Sequence, residues 1–155
     1  MMNAATQEIT YRIAQLDDVE SIYDFELAQT SKKSDDDFEK MMAVWSSPFR
    51  KESLEHYFKL GWSFIAFDLH KNVLGFFLGQ PLLFFDQQTQ SLWIEHVSAV
   101  SADIATELVD IAYRLAREKH FQRVLVSEKT KQLDLQKPFP FQNWERTIHF
   151  LKTTK

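Results

Sequence analysis

The sequence predicts a single α/β domain whose mixed central sheet of about six to seven strands is flanked by about four helices. Three observations predict this fold class. Strand-like and helix-like apolar patterns follow one another in the order β, α, α, α, β, β, β, α, β, β. A helix between two late strands favours a parallel pair, whereas short turns between the middle strands favour antiparallel hairpins. The length of 155 residues fits one domain over 1–155, with residues 1–8 as a loose N-terminal end.

The first half of the chain carries one strand and three helices in this prediction. Residues 9–13 alternate between apolar and polar side chains, as expected for a strand. Helical stretches start near residues 17, 38 and 50, and each repeats apolar side chains every three or four positions. Gly61 is suited to end the third helix, because glycine readily takes the left-handed conformation that follows many helices.

The second half holds the remaining strands. Residues 62–68 and 73–80 are predicted to form a hairpin around the turn 69–72, and residues 82–85 extend its second strand past Pro81. The elements predicted to follow are a strand over 91–100, a helix over 104–119, a strand over 121–127 and a last strand over 144–151.

Composition and charge exclude several classes of function. The net charge of −4, without a cluster of Lys and Arg, argues against nucleic acid and anionic membranes as partners. The chain has no cysteine, which excludes disulfides and thiolate chemistry, and its histidines lack metal-ligand spacing, so no metal site is expected. There is no secretory signal and no apolar run near the ~20 residues that span a bilayer, so the expected location is the cytoplasm.

Residues 92–127 are the most informative part of the chain. A strand leads through the turn Ser101-Ala102-Asp103 into a helix that starts at Ile104, and a second strand follows that helix. This arrangement resembles the cofactor-binding half of the GCN5-related N-acetyltransferases, the GNAT family.

Two other segments are similar to the same family. Residues 11–23 resemble its first strand and first helix, and residues 62–79, which end in VLGFFLG, resemble its second and third strands. The resemblance therefore covers about residues 9–127. It implies a GNAT-like domain that moves an acetyl group from acetyl-CoA to an amine of a small molecule or peptide.

The resemblance also implies roles for particular residues. Glu95 lies on the fourth strand, where several family members place a carboxylate that deprotonates the acceptor amine; a hydrogen-bonded structural carboxylate is the alternative. By alternation, Glu95 shares its strand face with Trp93 and Val97, and His96 points the other way. Trp45 and Trp93 are assigned to the acceptor site, with core packing as the alternative for Trp45. The residues assigned to the cofactor are Val97, Ser98, Ala99, Val100, Ile104 and Ala105.

The same stretch departs from the family in two places. The family's loop reads Arg/Gln-x-x-Gly-x-Gly/Ala, and its glycines let backbone amides approach the pyrophosphate of acetyl-CoA. In this chain the turn is cut to three residues, and the carboxylate of Asp103 repels a phosphate there. The tyrosine that often follows the family's fifth strand has no counterpart after Tyr113.

These departures keep a second interpretation open. The chain is then a non-catalytic protein of this fold that binds a ligand or partner and has lost the usual CoA binding. The aromatic content of 14% also permits a homodimer.

Overall fold

The computed structural model of the protein describes residues 8–31 and 50–154. The helix predicted to start at residue 38, which includes Trp45, lies outside them, so the role assigned to Trp45 stays a prediction. Within the described residues, the elements are β1 (Thr10–Ile13), α1 (Val19–Ser31), α2 (Lys51–Leu60), β2 (Phe64–Phe67), β3 (Val73–Phe85), β4 (Gln88–Ala99), α3 (Ala102–Glu118), β5 (Arg123–Val126) and α4 (Glu128–Lys131).

The strands form one mixed sheet in the order β1-β2-β3-β4-β5. Strands β1 to β4 pair antiparallel, and β5 pairs parallel with β4 because α3 connects them. Helix α3 covers one face through Leu108 and Ala112, while α1 and α2 cover the other face through Ile22 and Leu54. The predicted mixed α/β sheet is confirmed. No helix within residues 8–31 and 50–154 has the length and apolar content of a membrane span.

The predicted number of six to seven strands is wrong, since the described part of the chain has five. Residues 144–151, predicted as a last strand, pair with no strand there. Side chains hold this segment instead: the Trp144 indole donates to Asp86 Oδ2 at 2.7 Å, and Arg146 Nε lies 3.1 Å from Asp86 Oδ1. The alternating pattern was misleading because Ile148 and Phe150 are exposed and bury no apolar face.

The prediction that β3 continues past Pro81 is confirmed, and Pro81 lies opposite Leu92 of β4. Proline lacks a backbone N–H and is therefore confined to positions where a sheet edge is free. The pairing of β3 with β2 ends at Phe77 opposite Phe64, so no strand in the described part of the chain pairs with that edge of β3 at residue 81. Gly61 ends α2 in the left-handed conformation, with a φ of 78°, as predicted.

Helix α3 starts at Ala102, two residues before the predicted start at Ile104. The cause is Ser101, whose Oγ accepts a hydrogen bond from the Ile104 amide and caps the helix. Only Val100 and Ser101 therefore separate β4 from α3, and the connection is tighter than the three-residue turn expected from the sequence.

Candidate active site

Strand β4 contains a β-bulge at Glu95. Leu78 of β3 lies opposite His96 and the next residue, Gly79, lies opposite Ile94, which leaves Glu95 without a partner. A bulge of this kind adds one residue to a strand and re-aims the side chains that follow it. Such bulges are over-represented next to active sites.

The bulge overturns the predicted alternation beyond Glu95. Val97 does not share the face of Glu95, because it packs with Ile94 in the core under α3. His96 does not point away from Glu95 either: its ring lies 5.7 Å from the Phe76 ring, on the face covered by α1 and α2. The inserted residue places the later side chains of β4 on the opposite face from the one that simple alternation predicts. The amino-acid types along β4 give no sign of this shift.

A cleft opens where β4 and β5 separate. Their pairing ends at Ile94 opposite Val126, but β4 continues to Ala99 while the chain after β5 turns into α4. The cleft has a volume of about 370 Å³. Its walls are residues 95–99 of β4, Glu26 and Gln29 of α1, and Ser127, Lys129, Thr130 and Leu133 after β5.

The half-buried carboxylate of Glu95 is held in the wall of this cleft. The Trp93 indole Nε1–H donates to Glu95 Oε2 at 2.6 Å, which confirms that these two side chains share a face. Burial raises the pKa of the Tyr57 phenol, and the negative charge of Glu95 raises it further, so this phenol stays protonated beside the carboxylate. Trp93 orients Glu95 and does not itself line the cleft.

A second carboxylate, Glu26 of α1, faces the cleft and was missed by the sequence reasoning. Its Oε2 lies 2.9 Å from His96 Nε2, and its Oε1 accepts a hydrogen bond from the Ser98 hydroxyl at 3.3 Å. These contacts join α1 to β4. The sequence did carry a signal, because Glu26 occupies a position of the apolar helical stripe, one turn after the fully buried Ile22.

The residues predicted to bind the cofactor divide into two groups. Val97, Ser98 and Ala99 line the cleft, and Gln29 donates to the Ala99 carbonyl at 3.2 Å. Val100 lies outside the cleft lining, and its amide donates to the Leu74 carbonyl at 2.9 Å.

The other two predicted cofactor residues, Ile104 and Ala105, are buried at the start of α3. Their amides already have partners in the protein, because the Ile104 N–H binds Ser101 Oγ at 3.3 Å and the Ala105 N–H binds the Ser101 carbonyl at 3.1 Å. The side chain of Asp103 is exposed in the first turn. The cleft thus has room for a ligand, whereas at the start of α3 the Ile104 and Ala105 amides are already paired with Ser101.

The segment after β5 is fastened to α3, which fixes the second wall of the cleft. The Gln136 amide donates to Thr106 Oγ1 at 2.8 Å, and Lys137 Nζ lies 2.7 Å from Asp110 Oδ1. Arg114 Nε reaches the other Asp110 oxygen at 2.8 Å. The hydrogen bond from Lys137, with that from Arg114 and both positive charges, holds the pKa of Asp110 below its usual value.

No group of three or more His, Asp or Glu side chains within residues 8–31 and 50–154 is arranged to hold a metal ion. The polar side chains that line the cleft carry carboxylates, an imidazole, hydroxyls, an amide and one lysine ammonium. This set can move protons and recognise a polar or cationic ligand.

No protein-family model matches this sequence, and no curated protein matches it significantly. Solved structures share its fold. A ribosomal-protein-alanine N-acetyltransferase from Brucella melitensis biovar Abortus is 15% identical, with a TM-score of 0.59 over 92% of this chain and 100% of that one. A polyamine N-acetyltransferase from Drosophila melanogaster, an enzyme that forms N-acetylagmatine, is 12% identical, with a TM-score of 0.62 over 81% of this chain and 80% of that one.

A predicted acetyltransferase from Clostridium acetobutylicum, solved with acetyl-CoA, is 11% identical, with a TM-score of 0.59 over 93% of this chain and 96% of that one. Identities this low establish the fold and do not transfer an activity. The fold of this chain is that of the GNAT acetyltransferases, as its sequence pattern predicted.

Proposed function

We propose that this protein is an N-acyltransferase that moves an acetyl group from acetyl-CoA to an amine of a small molecule or peptide. The observation that carries the proposal is the separation of β4 from β5, which opens a cleft beside the bulged residue Glu95. The GNAT fold supports the same class of chemistry.

Glu95 is proposed as the general base. Acetyl-CoA supplies an activated acetyl thioester. As the amine nitrogen bonds to the acetyl carbon, Glu95 takes a proton from that nitrogen, directly or through a water molecule, and the C–S bond breaks; the CoA thiolate leaves and takes a proton from solvent. Within the described residues its only hydrogen bond is the one from Trp93 to Oε2, so Oε1 is available to the amine. Trp93 acts as a positioning residue, because it fixes the carboxylate without lining the cleft.

The residues present fit the two ends of acetyl-CoA unequally. At the acyl end, none of the described strands pairs with β4 beyond Ile94 on its β5 side, so its backbone from residue 95 to 99 is open to a thioester arm. At the pyrophosphate end, the Ser101 side chain takes the Ile104 amide, and Asp103 adds a negative charge to the first turn of α3. We therefore expect acetyl-CoA to bind chiefly through the cleft.

A second candidate function is a non-catalytic protein of this fold that binds another ligand in the same cleft. The serine cap at the start of α3 favours it, because a ligand without a pyrophosphate does not need the Ile104 amide that Ser101 already holds.

Calorimetric titration of the purified chain with acetyl-CoA separates the two candidates. Micromolar binding that weakens as salt is added supports the acetyltransferase, and release of the CoA thiol with a panel of amines then identifies the acceptor class. An absence of binding at millimolar acetyl-CoA contradicts the proposal and favours the non-catalytic protein.

A further inference from the structure

Glu26 of α1 places a largely buried carboxylate in the wall of the cleft. Its side chain is only 12% exposed, yet it belongs to the cavity lining. The His96 ring contacts one of its oxygens at 2.9 Å, and the Ser98 hydroxyl donates to the other at 3.3 Å. An imidazole donates from one ring nitrogen in its neutral form, and a hydroxyl is uncharged. These two contacts therefore orient the carboxylate without requiring a positive partner.

No lysine or arginine of the described part of the chain forms an ion pair with either carboxylate of the cleft. This holds for Glu26 and for Glu95, whose one hydrogen bond there comes from the uncharged Trp93 indole. Lys129, the one lysine or arginine among the described residues of the lining, is exposed and is paired with neither. A negative charge in a largely buried place is costly unless a positive charge or hydrogen bonds compensate it. The cleft thus suits a cationic ligand.

We propose that the acceptor is a small diamine, whose one amine is acetylated beside Glu95 while the other, as an ammonium ion, binds Glu26. In the proposed acetyltransferase function, on which this assignment rests, the first nitrogen bonds to the acetyl carbon and gives a proton to Glu95, and the CoA thiolate leaves and is protonated by solvent. The second nitrogen takes no part in the reaction. It keeps its positive charge and offers three N–H donors to the carboxylate of Glu26.

The two carboxylates come from different elements, so a ligand that contacts both bridges the cleft. Glu26 lies on α1, whereas Glu95 is the bulged residue of β4. The cavity of about 370 Å³ is at the lower end of the range of ligand pockets, and it must also hold the thioester end of acetyl-CoA. The acceptor beside that thioester is therefore short. The apolar side chains of Val97 and Leu133 also line the cleft and suit the methylene groups between the two nitrogens.

Pairs of amines of equal length test the proposal on the native chain. Each pair consists of a linear diamine of three to six carbons and the monoamine in which a methyl group replaces the second amine. Steady-state acetyl transfer gives KM and kcat for each amine. We expect the best diamine to have a KM at least tenfold below that of its matched monoamine, because the second ammonium adds a charge-assisted hydrogen bond. Equal KM values in all pairs overturn the diamine assignment and leave the acetyltransferase in place.

Calorimetric titration of the native chain with the same amines separates this proposal from the proposed function. Binding of the diamine at least tenfold tighter than the monoamine, without transfer to any amine, supports Glu26 as a cation site and contradicts the acetyltransferase. Equal binding without transfer contradicts both. Equal binding is also the result if a protonated His96 already neutralises Glu26, because the second ammonium then finds no free negative charge.

Glu26→Gln tests where the second ammonium binds. It removes the charge at nearly constant size and should raise the KM of the preferred diamine at least tenfold, while the KM of the monoamine and both kcat values stay within about twofold. The control is Glu20→Gln, an exposed carboxylate of the same helix, which should change neither KM. Circular dichroism of both variants confirms that they are folded.

Two results with these variants overturn the role of Glu26. A rise in KM that is equal for diamine and monoamine means that Glu26 only shapes the cleft. A diamine preference that survives Glu26→Gln places the second ammonium elsewhere.

Discussion

The cleft and the start of α3 are adjacent in the chain but are built in opposite ways. In the cleft, β4 leaves β5, and its residues 95–99, which include Glu95 and His96, form a wall together with Glu26. At the start of α3, the Ser101 hydroxyl oxygen accepts a hydrogen bond from the Ile104 amide and so caps the helix within the protein. The first region is an open cleft, and in the second region the Ile104 and Ala105 amides are already paired within the protein.

This difference separates the residues expected to set the rate of acetyl transfer from those expected to set the affinity for acetyl-CoA. A base in a cleft acts on the acceptor amine whatever holds the distant part of the donor. Binding of a pyrophosphate depends on free amides and on the helix dipole, and the serine cap and Asp103 oppose it. We therefore expect substitutions in the cleft to change the rate, and substitutions at the start of α3 to change the affinity for the donor.

The largest expected effect is that of Glu95→Gln. Removal of a general base typically lowers the rate by about 10²- to 10⁴-fold, and glutamine keeps the shape of the side chain. Acetyl transfer should fall by that amount while the affinity for acetyl-CoA stays within about twofold, since the acceptor side alone is changed. The matched control is Glu118→Gln, an exposed residue at the far end of α3. Transfer that persists in Glu95→Gln would leave Glu95 with a structural role only.

The next effect in size concerns the second carboxylate of the cleft. Glu26→Gln removes the charge that His96 and Ser98 contact in a largely buried place, and we expect a loss of about 1–2 kcal/mol in the free energy of unfolding. Glu20→Gln is the control on the same helix, because Glu20 is exposed and its solvent-screened pair with Lys51 should contribute little to stability. Urea unfolding measures both. Equal losses would mean that Glu26 does not fasten α1 to β4.

The order of the elements was predictable because it follows from local patterns. Apolar spacing identified α1, α2 and α3, and Gly61 marked the end of α2. The strand pairing could be anticipated from connection lengths, since a helix must join the parallel strands β4 and β5.

The site was only partly predictable, for two physical reasons. The bulge at Glu95 depends on the register between β3 and β4, a pairing between distant residues that leaves no mark in either strand. The contact of Glu26 with His96 joins residues 70 positions apart. Sequence reasoning therefore found Glu95 through the family resemblance but placed His96 on the wrong face of the sheet.

A smaller effect is expected at the start of α3. Asp103→Asn removes a negative charge from the first turn, and two exposed like charges a few ångströms apart repel by about 1 kcal/mol in water. The affinity for acetyl-CoA should therefore rise by about three- to tenfold at low salt, and less at high salt. Calorimetry of this variant beside Glu118→Gln, which makes the same charge change at the far end of α3, gives the comparison. An unchanged affinity would place the pyrophosphate away from the start of α3.

The smallest expected effect is that of Asp110→Asn, which removes the ion pair between α3 and the segment after β5 that forms one wall of the cleft. Asp110 has a lowered pKa because Lys137 and Arg114 bind it, so its contribution to stability is present above the unfolded-state pKa near 4 and is lost as pH falls through the lower folded-state pKa. Lys137 and Arg114 are about half exposed, so Asp110→Asn should cost only about 0.5–1 kcal/mol at pH 7. The difference from the native chain should shrink as the pH is lowered below 4.

Thermal unfolding of the native chain and of Asp110→Asn, measured from neutral to acidic pH, tests whether the stability difference shrinks in acid. Groups that titrate in both proteins cancel in the difference, so the remaining pH dependence belongs to Asp110. Asp134→Asn, an exposed carboxylate in the same segment, should show no such dependence. A difference that stays constant down to acidic pH would mean that packing of the segment after β5, through Leu133 and the Gln136–Thr106 hydrogen bond, holds the cleft wall without the ion pair. The cleft would then keep its shape without the Asp110 ion pair, and its ligand binding could be measured in Asp110→Asn without loss of the fold.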